Sequence, residues 1–302
     1  MKKITCALVG YGYWGKIVKK YIENNTSLAL VRIFNRDITP FNNKECLQDL
    51  DAVFICLPSK LHYEYSKFFL LNGINVFCEK PLTLSFDESR ELIEIARDRK
   101  LILYTDFPFV FSPSINYIKS QFNKLGEKKY LRFNFEQFGL FYPGEDVFDT
   151  IASHPLSVIG HLFGPDQLSF NIEKVNVIQE DKDGAAVAAE IKFNHFNVQG
   201  LLFVSLISPL KRRNCTIYGE KGQAIYEMTE DVTARIIRFD LTEKKSICHE
   251  FSMSFNEKNN LQYSIKKFVD ILESKSTENI DLSLFVASGI KKIKDSCYGK
   301  TR

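Results

Sequence analysis

The stretch ITCALVGYGYWGKIVKKYIE, residues 4–23, decides the fold of the N-terminal half of this chain. Residues 4–9 form a short apolar run that ends at a glycine, which is typical of a buried parallel strand. Residues 16–23 place their apolar side chains on one face of a helix. Between them, residues 10–15 (GYGYWG) form a G-x-G-x-x-G loop, here between a strand and a helix. This order predicts a βα unit that binds a nucleotide.

Each glycine of the loop has a defined role in phosphate binding. Gly10 permits the tight turn, Gly12 lets the backbone approach a pyrophosphate, and Gly15 lets the helix pack closely on the strand. The helix N-terminus directs N–H groups and the positive end of its dipole towards the phosphates. We therefore predict that Gly10, Gly12, Tyr13, Trp14 and Gly15 bind the cofactor. The alternative is a vestigial loop.

The residues after the second apolar run bear on the ribose of the cofactor. Residues 28–34 (LALVRIF) predict a strand, and Asn35, Arg36 and Asp37 follow it. An acidic residue at this point hydrogen-bonds the ribose 2′-hydroxyl and would repel a 2′-phosphate. Asn35 does not repel and Arg36 can pair with a phosphate, so NADP(H) is favoured over NAD(H). Alternatively, Arg36 is a solvated loop residue and Asp37 contacts the ribose.

The first hundred residues alternate between strand and helix patterns. Further strands are predicted at 52–57, 75–78 and 101–104, and helices at 61–72 and 85–99. Such alternation is typical of βαβ units and a doubly wound parallel sheet. The predicted fold class is therefore α/β, with an N-terminal Rossmann domain over residues 1–113.

From residue 114 the pattern changes to strands in succession. Helices are predicted at 114–122, 149–162, 259–274 and 281–297, and strands at 130–138, 168–179, 185–194, 197–207, 212–219, 222–228 and 234–240. Turn signals between the strands indicate hairpins. Residues 114–302 therefore predict an α+β domain with an open, mainly antiparallel sheet. Because one face of such a sheet is uncovered, we expect a homodimer or homotetramer formed through it.

The composition excludes several other classes of protein. The 302 residues are 45% hydrophobic and 25% charged, the ordinary globular balance. Lys and Arg number 40 against 37 Asp and Glu, and this net charge of +3 gives no argument for nucleic acid or a membrane surface as partner. No window approaches about 18 uninterrupted apolar residues, so we expect no membrane span. The seven cysteines contain no C-x-x-C pair, so we expect no metal site and a reducing, cytoplasmic location.

Several motifs resemble those of one enzyme family. Residues 57–62 (LPSKLH) resemble the P-x-x-x-H turn, and residues 79–81 (EKP) the signature after the next strand, of the glucose–fructose oxidoreductase / inositol dehydrogenase family. The GYWG form of the glycine loop and residues 152–157 (ASHPLS) are similar to its sugar-nucleotide branch. Residues 218–222 (YGEKG) resemble a recurrent hairpin of its second domain. The resemblance extends over nearly the whole chain.

The resemblance implies an NAD(P)-dependent oxidoreductase. It would transfer a hydride reversibly at a secondary alcohol or ketone of a sugar, cyclitol or nucleotide-linked sugar. Lys80 would lie beside the nicotinamide and hydrogen-bond the reacting hydroxyl, and His154 would be the general base in oxidation. The residue types suit these roles, because imidazole titrates near neutral pH and an ammonium group stabilises alkoxide charge. The cofactor site would also include Leu57, Pro58, His62, Glu79 and Lys80.

The chain departs from the family pattern before the histidine. The family usually has Asp four residues earlier, where this chain has Thr150. The neighbouring Asp149 would lie about 100° away on an α-helix and is interpreted as the helix N-cap, accepting from the N–H groups of residues 151–152. The predicted substrate-binding residues are Asp149, Thr150 and Phe107. Phe107 belongs to an aromatic-rich region, which either stacks against a sugar ring or base or packs between the domains.

Two other functions remain open. The missing carboxylate is compatible with a non-catalytic, nucleotide-binding sensor of the same fold. Residues 36–51 are too few for the family's usual further helix and strand. A shortened lobe of this kind is also seen in biliverdin reductases, which reduce a linear tetrapyrrole. They do not keep E-K-P together with the second-domain histidine, so this is the weaker enzyme alternative.

Overall fold

The computed structural model describes residues 3–35, 44–127, 129–139, 141–240, 245–274 and 278–299. The chain divides into two compact units. The first comprises residues 1–108 and 259–287, and the second comprises residues 109–258 and 288–302. The chain therefore returns to its first unit near the C-terminus instead of crossing a single boundary after residue 113.

The first unit contains a five-stranded parallel sheet in the order β2-β1-β3-β4-β5. Its strands are β1 (Ile4–Val9), β2 (Leu28–Phe34), β3 (Ala52–Ile55), β4 (Asn75–Cys78) and β5 (Leu103–Thr105). The short central strands are buried on both faces, as a sheet covered on both sides requires. The predicted doubly wound parallel sheet is confirmed.

Helices join the strands at the predicted places. They are α1 (Tyr13–Glu23), α2 (His62–Leu71), α3 (Phe86–Arg99), α4 (Pro113–Ser120), α5 (Ser153–Phe163), α6 (Asn260–Ser274) and α7 (Glu278–Tyr298). None of the helices in the described part of the chain has the length and apolar content to cross a bilayer.

Residues 259–287 join the first unit because α6 packs on its sheet. The fully buried ring of Phe268 lies 5.4 Å from that of Phe54, 5.5 Å from Phe77 and 5.6 Å from Tyr104, measured between ring centroids. Edge-on contacts among buried aromatic rings stabilise packing beyond the area that they bury. The apolar period of α6 predicted a helix, but it could not indicate which sheet the helix covers.

The second unit contains an eight-stranded sheet in the order β13-β12-β11-β10-β6-β9-β8-β7. Its strands are β6 (Lys129–Phe138), β7 (Phe170–Glu180), β8 (Ala186–His195), β9 (Val198–Ser205), β10 (Ile207–Gly219), β11 (Gly222–Glu227), β12 (Ala234–Asp240) and β13 (Lys245–Met253). The pairings are antiparallel except for β6 with β9. The predicted mainly antiparallel sheet is confirmed, while β13 was not among the predicted strands.

Candidate functional site

The carboxyl ends of β1 and β3 mark the candidate cofactor site of the first unit. In the strand order 2-1-3-4-5 the succession of strands reverses between β1 and β3, and ligands bind outside the carboxyl ends at such a point. The glycine loop follows β1, and its Gly10 N–H donates to the carbonyl of Phe34 at 2.9 Å. Leu57 follows β3 and lies against Gly10. The structure therefore brings the glycine loop, Asn35 and Leu57 to one edge of the sheet.

Gly10 and Gly15 are glycines for reasons internal to the chain. Gly10 has a φ of +92°, and a Cβ there would lie 2.5 Å from the carbonyl oxygen of Cys56. A Cβ on Gly15 would lie 1.9 Å from the carbonyl oxygen of Gly10. These contacts explain the tight turn and the close helix packing that the motif predicts.

Gly12 has a different environment. Apart from its chain neighbours Tyr11 and Tyr13, no heavy atom of the described chain lies within 4 Å of the place that its Cβ would occupy. Gly12 is the N-cap of α1, in extended conformation, and no described side chain caps the helix. The first N–H groups of α1 therefore remain available to an anion. A pyrophosphate fits this position, because it would take the space that a side chain on residue 12 would fill.

Tyr13 and Trp14 are the first two residues of α1. Tyr13 is 83% exposed and Trp14 is 40% exposed. The indole N–H of Trp14 donates to a carboxyl oxygen of Glu79. Asn35 is exposed directly after β2, and the predicted contact residue Arg36 lies outside the described residues.

His62 joins two loops at the edge of the sheet. Its Nδ1 lies 2.7 Å from the carbonyl oxygen of Pro81, and its Nε2 lies 2.8 Å from that of Leu57. Burial lowers the pKa of this imidazole. The neutral imidazole has one N–H, which donates to one of these carbonyl oxygens, while the other ring nitrogen lies beside the second. His62 therefore lies between the loop that carries Leu57 and Pro58 and the turn at Pro81.

Glu79 and Lys80 follow β4 at the same edge. Asp106 follows the neighbouring strand β5 and is fully buried. The carboxyl groups of Glu79 and Asp106 lie close enough to interact, and Asp106 Oδ1 accepts from the hydroxyl of Ser264 at 2.6 Å. Burial raises the pKa of both carboxyl groups, and the charge of Asp106 raises that of Glu79 further.

Asp106 was not among the predicted site residues. The sequence offers one signal for Asp106 as a site residue, which is that it directly follows a buried strand, as Glu79 does. Cys78 and Thr105 pair across β4 and β5, so the residues after them emerge side by side. The sequence does not show which strands pair. The pairing of β4 with β5 is what brings these two acidic residues together.

His154 lies in the second unit, near the start of α5. Its ring centroid is 4.9 Å from that of Phe109, at 67°, and 6.4 Å from that of Phe135. The imidazole is half-buried. These two aromatic rings therefore restrict the orientation of the side chain that the resemblance assigns to proton transfer.

Asp146, not Asp149, caps the segment that leads into α5. The Asp146 Oδ1 accepts the N–H groups of Phe148 at 2.9 Å and Asp149 at 3.0 Å. Residues 148–152 form a π-helical turn. The interpretation of Asp149 as N-cap was therefore wrong, because the helical segment begins earlier and with a wider turn than the α-helical spacing assumes.

The predicted substrate-binding residues are all buried. Asp149 is 1% exposed, and its Oδ2 accepts from Lys294 Nζ at 2.6 Å. The Thr150 hydroxyl donates to the carbonyl of Asp146 at 2.9 Å. Phe107, in the first unit, is 1% exposed, which matches the packing alternative. No group of three or more His, Cys, Asp or Glu side chains within the described ranges is arranged to hold a metal ion.

Residues 4–107 match the model of an oxidoreductase family with an NAD-binding Rossmann fold, GFO_IDH_MocA. An uncharacterized oxidoreductase of Synechocystis is 27% identical over 194 residues, or 54% of this chain and 52% of that protein. The chain thus matches about half the length of this relative.

Two solved structures share the fold over both units. The 3-ketoreductase KijD10 of Actinomadura kijaniata, in complex with NADP and TDP-benzene, has a TM-score of 0.82 at 18% identity. UDP-N-acetylglucosamine 3-dehydrogenase GnnA of Acidithiobacillus ferrooxidans has a TM-score of 0.83 at 17% identity. Each comparison covers 98% of this chain and 98% of the other. At these identities the likeness shows the fold alone.

Proposed function

We propose that this chain is an NAD(P)-dependent oxidoreductase of the GFO_IDH_MocA family, whose model residues 4–107 match. The proposed reaction moves a hydride between a nicotinamide and a secondary alcohol or ketone of a sugar, cyclitol or nucleotide-linked sugar. The observation that carries the proposal is the open position at Gly12, ahead of a helix that no described side chain caps.

The cofactor would be held mainly by backbone groups of the glycine loop. The N–H groups at the start of α1 bind its pyrophosphate, with Tyr13 and Trp14 beside them. Leu57 and Pro58 border the same edge of the sheet. The nicotinamide, when bound, accepts or donates the hydride, a chemistry that no protein side chain supplies.

Lys80 and His154 would act on the proton of the substrate. An alcohol that loses a hydride must also lose its hydroxyl proton. The Lys80 ammonium group donates a hydrogen bond to the reacting oxygen and stabilises alkoxide charge. His154 accepts the proton in oxidation and returns it in reduction. Phe109 and Phe135 orient the imidazole, while Thr150 occupies the position where the family usually has Asp.

The proposed cofactor is NADP(H) rather than NAD(H), and the favoured substrate is a nucleotide-linked sugar. Asn35 carries no charge to repel a 2′-phosphate, and Arg36 follows it. KijD10 was crystallised with NADP and TDP-benzene, and GnnA is a dehydrogenase of UDP-N-acetylglucosamine. These properties of proteins with the same fold support the proposal.

We further infer a cytoplasmic homodimer or homotetramer that assembles through the open face of the eight-stranded sheet. Tyr130 of β6 and Tyr218 of β10 pair across this face with ring centroids 6.3 Å apart, and both are exposed. Phe138 lies on the same face of β6 and is 70% exposed. Exposed aromatic side chains are enriched at protein interfaces. Light scattering should give two or four times the chain mass of 34.9 kDa, and a monomer would contradict the inference.

Trp14 provides the test of cofactor binding, because it is the single tryptophan and lies in the glycine loop. NADPH should quench its emission saturably, at lower concentration than NADH. Turnover is then measured on a panel of UDP- and dTDP-sugars. Lys80→Ala should abolish turnover and leave cofactor binding within a few-fold. Lys20→Ala, at an exposed position of α1, is the matched control and should change neither.

His154→Asn should lower the turnover rate by about 10²-fold or more, the usual scale for a general base. A rate near that of the wild type would reduce His154 to a structural residue, and unchanged turnover in Lys80→Ala would refute its catalytic role. Cofactor binding without turnover on any sugar would support the nucleotide-binding sensor instead. Reduction of a linear tetrapyrrole would support the alternative related to biliverdin reductase.

A further inference from the structure

Asp106 presents a buried carboxyl group that the proposed reaction does not use. Its Oδ1 accepts from Ser264, but its Oδ2 is buried and receives no hydrogen bond from an N–H or hydroxyl group of the described chain. A buried carboxyl oxygen without a donor has lost its hydration with no hydrogen bond to replace it, which destabilises the folded state. The structure therefore calls for a donor at this position.

The group in contact with Asp106 is the carboxyl of Glu79. Two ionised carboxylates offer only acceptors, so they cannot bond to each other. One proton on either group supplies the missing donor and removes the repulsion between two buried charges. Burial raises the pKa of both groups, and the charge of Asp106 raises that of Glu79 further, which favours this singly protonated pair near neutral pH.

The pair connects a buried helix to the glycine loop. On the inner side, Ser264 of α6 donates to Asp106, and the hydroxyl of Tyr104 lies 3.0 Å from that of Ser264. On the outer side, Glu79 accepts the indole N–H of Trp14, whose ring reaches the surface. The polar contacts are therefore continuous from the interior of the first unit to the mouth of the proposed cofactor site.

We propose that Asp106 is a positioning residue that shares one proton with Glu79, and that this carboxyl pair fixes the indole of Trp14 in the glycine loop. The indole N–H favours the ionised form of Glu79, but the repulsion from Asp106 is the larger effect. When the proton is lost, this repulsion between two adjacent buried charges separates the pair, which no longer holds Trp14 in place. Binding of a dinucleotide at the loop then weakens. The inference rests on the proposed cofactor site but on no catalytic activity.

The other ionisable groups that act on the pair do not replace this proton. Lys80 is the cation beside it and favours the ionised forms. Cys56 and Cys78 lie near Glu79, and Tyr104 lies near Asp106; burial raises the pKa of all three, so they stay neutral. The protonation of the carboxyl pair itself therefore controls the contact to Trp14.

The test uses the emission of Trp14 in the whole protein without cofactor, titrated from acid to alkaline pH. The wild type should show a transition well above the ordinary carboxyl pKa of about 4. Glu79→Gln should abolish it. Asp106→Asn places an amide donor beside Glu79, so no shared proton is needed, and the midpoint should fall by at least about one pH unit. Asp98→Asn, at an exposed position of α3, is the matched control and should keep the wild-type midpoint.

A second variant moves the midpoint in the opposite direction. Ser264 donates to Asp106 and thereby lowers its pKa, so Ser264→Ala should shift the transition to higher pH. A purely structural role for these residues predicts no shift of either sign. If Asp106→Asn does not fold, the alkaline shift in Ser264→Ala decides the proposal. An unchanged midpoint in the folded variants overturns it.

Cofactor titrations then separate this inference from the proposed function. NADPH affinity of the wild type should weaken above the transition. The loss should be about tenfold for each unit by which bound NADPH raises the pKa of the carboxyl pair. The affinity should stay level with pH in Glu79→Gln. Absence of any NADPH or NADH binding would refute the proposed function, while the emission titration would still test the carboxyl pair. Binding that is independent of pH in the wild type would contradict the link between the pair and the loop.

Discussion

Gly12 and Gly15 lie three residues apart in one loop, yet the structure requires glycine only at the second. The Cβ of residue 15 would overlap the carbonyl oxygen of Gly10, whereas the Cβ of residue 12 would meet no heavy atom of the described chain beyond its two chain neighbours. The identity of residue 15 therefore follows from folding. The identity of residue 12 points to something outside the chain, and this contrast can be measured.

Gly12→Ala should lower the free energy of unfolding by no more than about 1 kcal/mol, the usual cost of alanine at an N-cap. It should weaken NADPH binding by about tenfold or more, because the added methyl group enters the space proposed for the pyrophosphate. Gly15→Ala should instead destabilise the protein by about 1–3 kcal/mol or more through overlap with the backbone. Urea unfolding and Trp14 quenching measure the two effects. Equal cofactor affinity in Gly12→Ala and the wild type would remove the main support for the cofactor site.

At the scale of elements, the segment leading into α5 shows how one extra residue in a helical turn changes which side chain caps the helix and which is buried. The π-helical turn at residues 148–152 shifts the N-cap to Asp146 and turns Asp149 inward to Lys294 of α7. Burial and the neighbouring Asp146 raise the pKa of Asp149, while Lys294 opposes this rise. Lys294 therefore neutralises the charge of a buried carboxylate, that of Asp149, and not of an exposed one.

Lys294→Met should lower the free energy of unfolding by about 1–3 kcal/mol at pH 8, less than for a fully buried pair because Lys294 is partly exposed. A carboxyl group whose pKa is raised by folding contributes stability at low pH and loses it as pH rises through the folded pKa. The deficit of the variant should therefore narrow towards pH 5, where Asp149 is protonated. Urea unfolding at both pH values measures this.

Lys291→Met is the matched control on the same helix. Lys291 pairs with Asp295 at i,i+4 on the exposed surface, so its loss should cost only about 0.3–0.5 kcal/mol, with little dependence on pH. A deficit in Lys294→Met that is equally small, or that does not change with pH, would contradict the compensating role of Lys294.

At the scale of the whole molecule, the first unit is completed by residues 259–287, far along the chain from its first strand. The buried ring of Phe268 closes the aromatic cluster on the parallel sheet, and Ser264 of the same helix bonds to Asp106. The proposed cofactor unit therefore depends on a helix that follows residues 109–258 of the second unit in the chain.

Phe268→Ala should destabilise the protein by about 3–5 kcal/mol, the usual cost of a large cavity in an aromatic core. Tyr263→Ala, at an exposed position of the same helix, is the control and should change stability by about 0.5 kcal/mol or less. Thermal or urea unfolding measures both. A small effect of Phe268→Ala would mean that the parallel sheet is stable without α6.

Local periodicity and turn chemistry predicted most elements and both sheet classes, because they depend on neighbouring residues alone. The five parallel strands, the glycine loop and the helices follow from apolar runs and from glycines whose spacing has a steric reason. The same local reasoning did not find β13. It also misplaced the N-cap at Asp149, because no local sequence pattern predicts the π-helical turn.

The sequence by itself determined the Rossmann unit, the mainly antiparallel sheet that follows it, and the motifs that resemble a dehydrogenase family. Only the tertiary structure decided that α6 covers the first sheet, that His62 lies between two backbone carbonyl groups, and that Asp106 meets Glu79. The physical reason is that a local pattern states which residues are buried, but not which distant residues they are buried against. Asp106 and Ser264 are 158 positions apart, and only strand register and helix docking bring them to 2.6 Å.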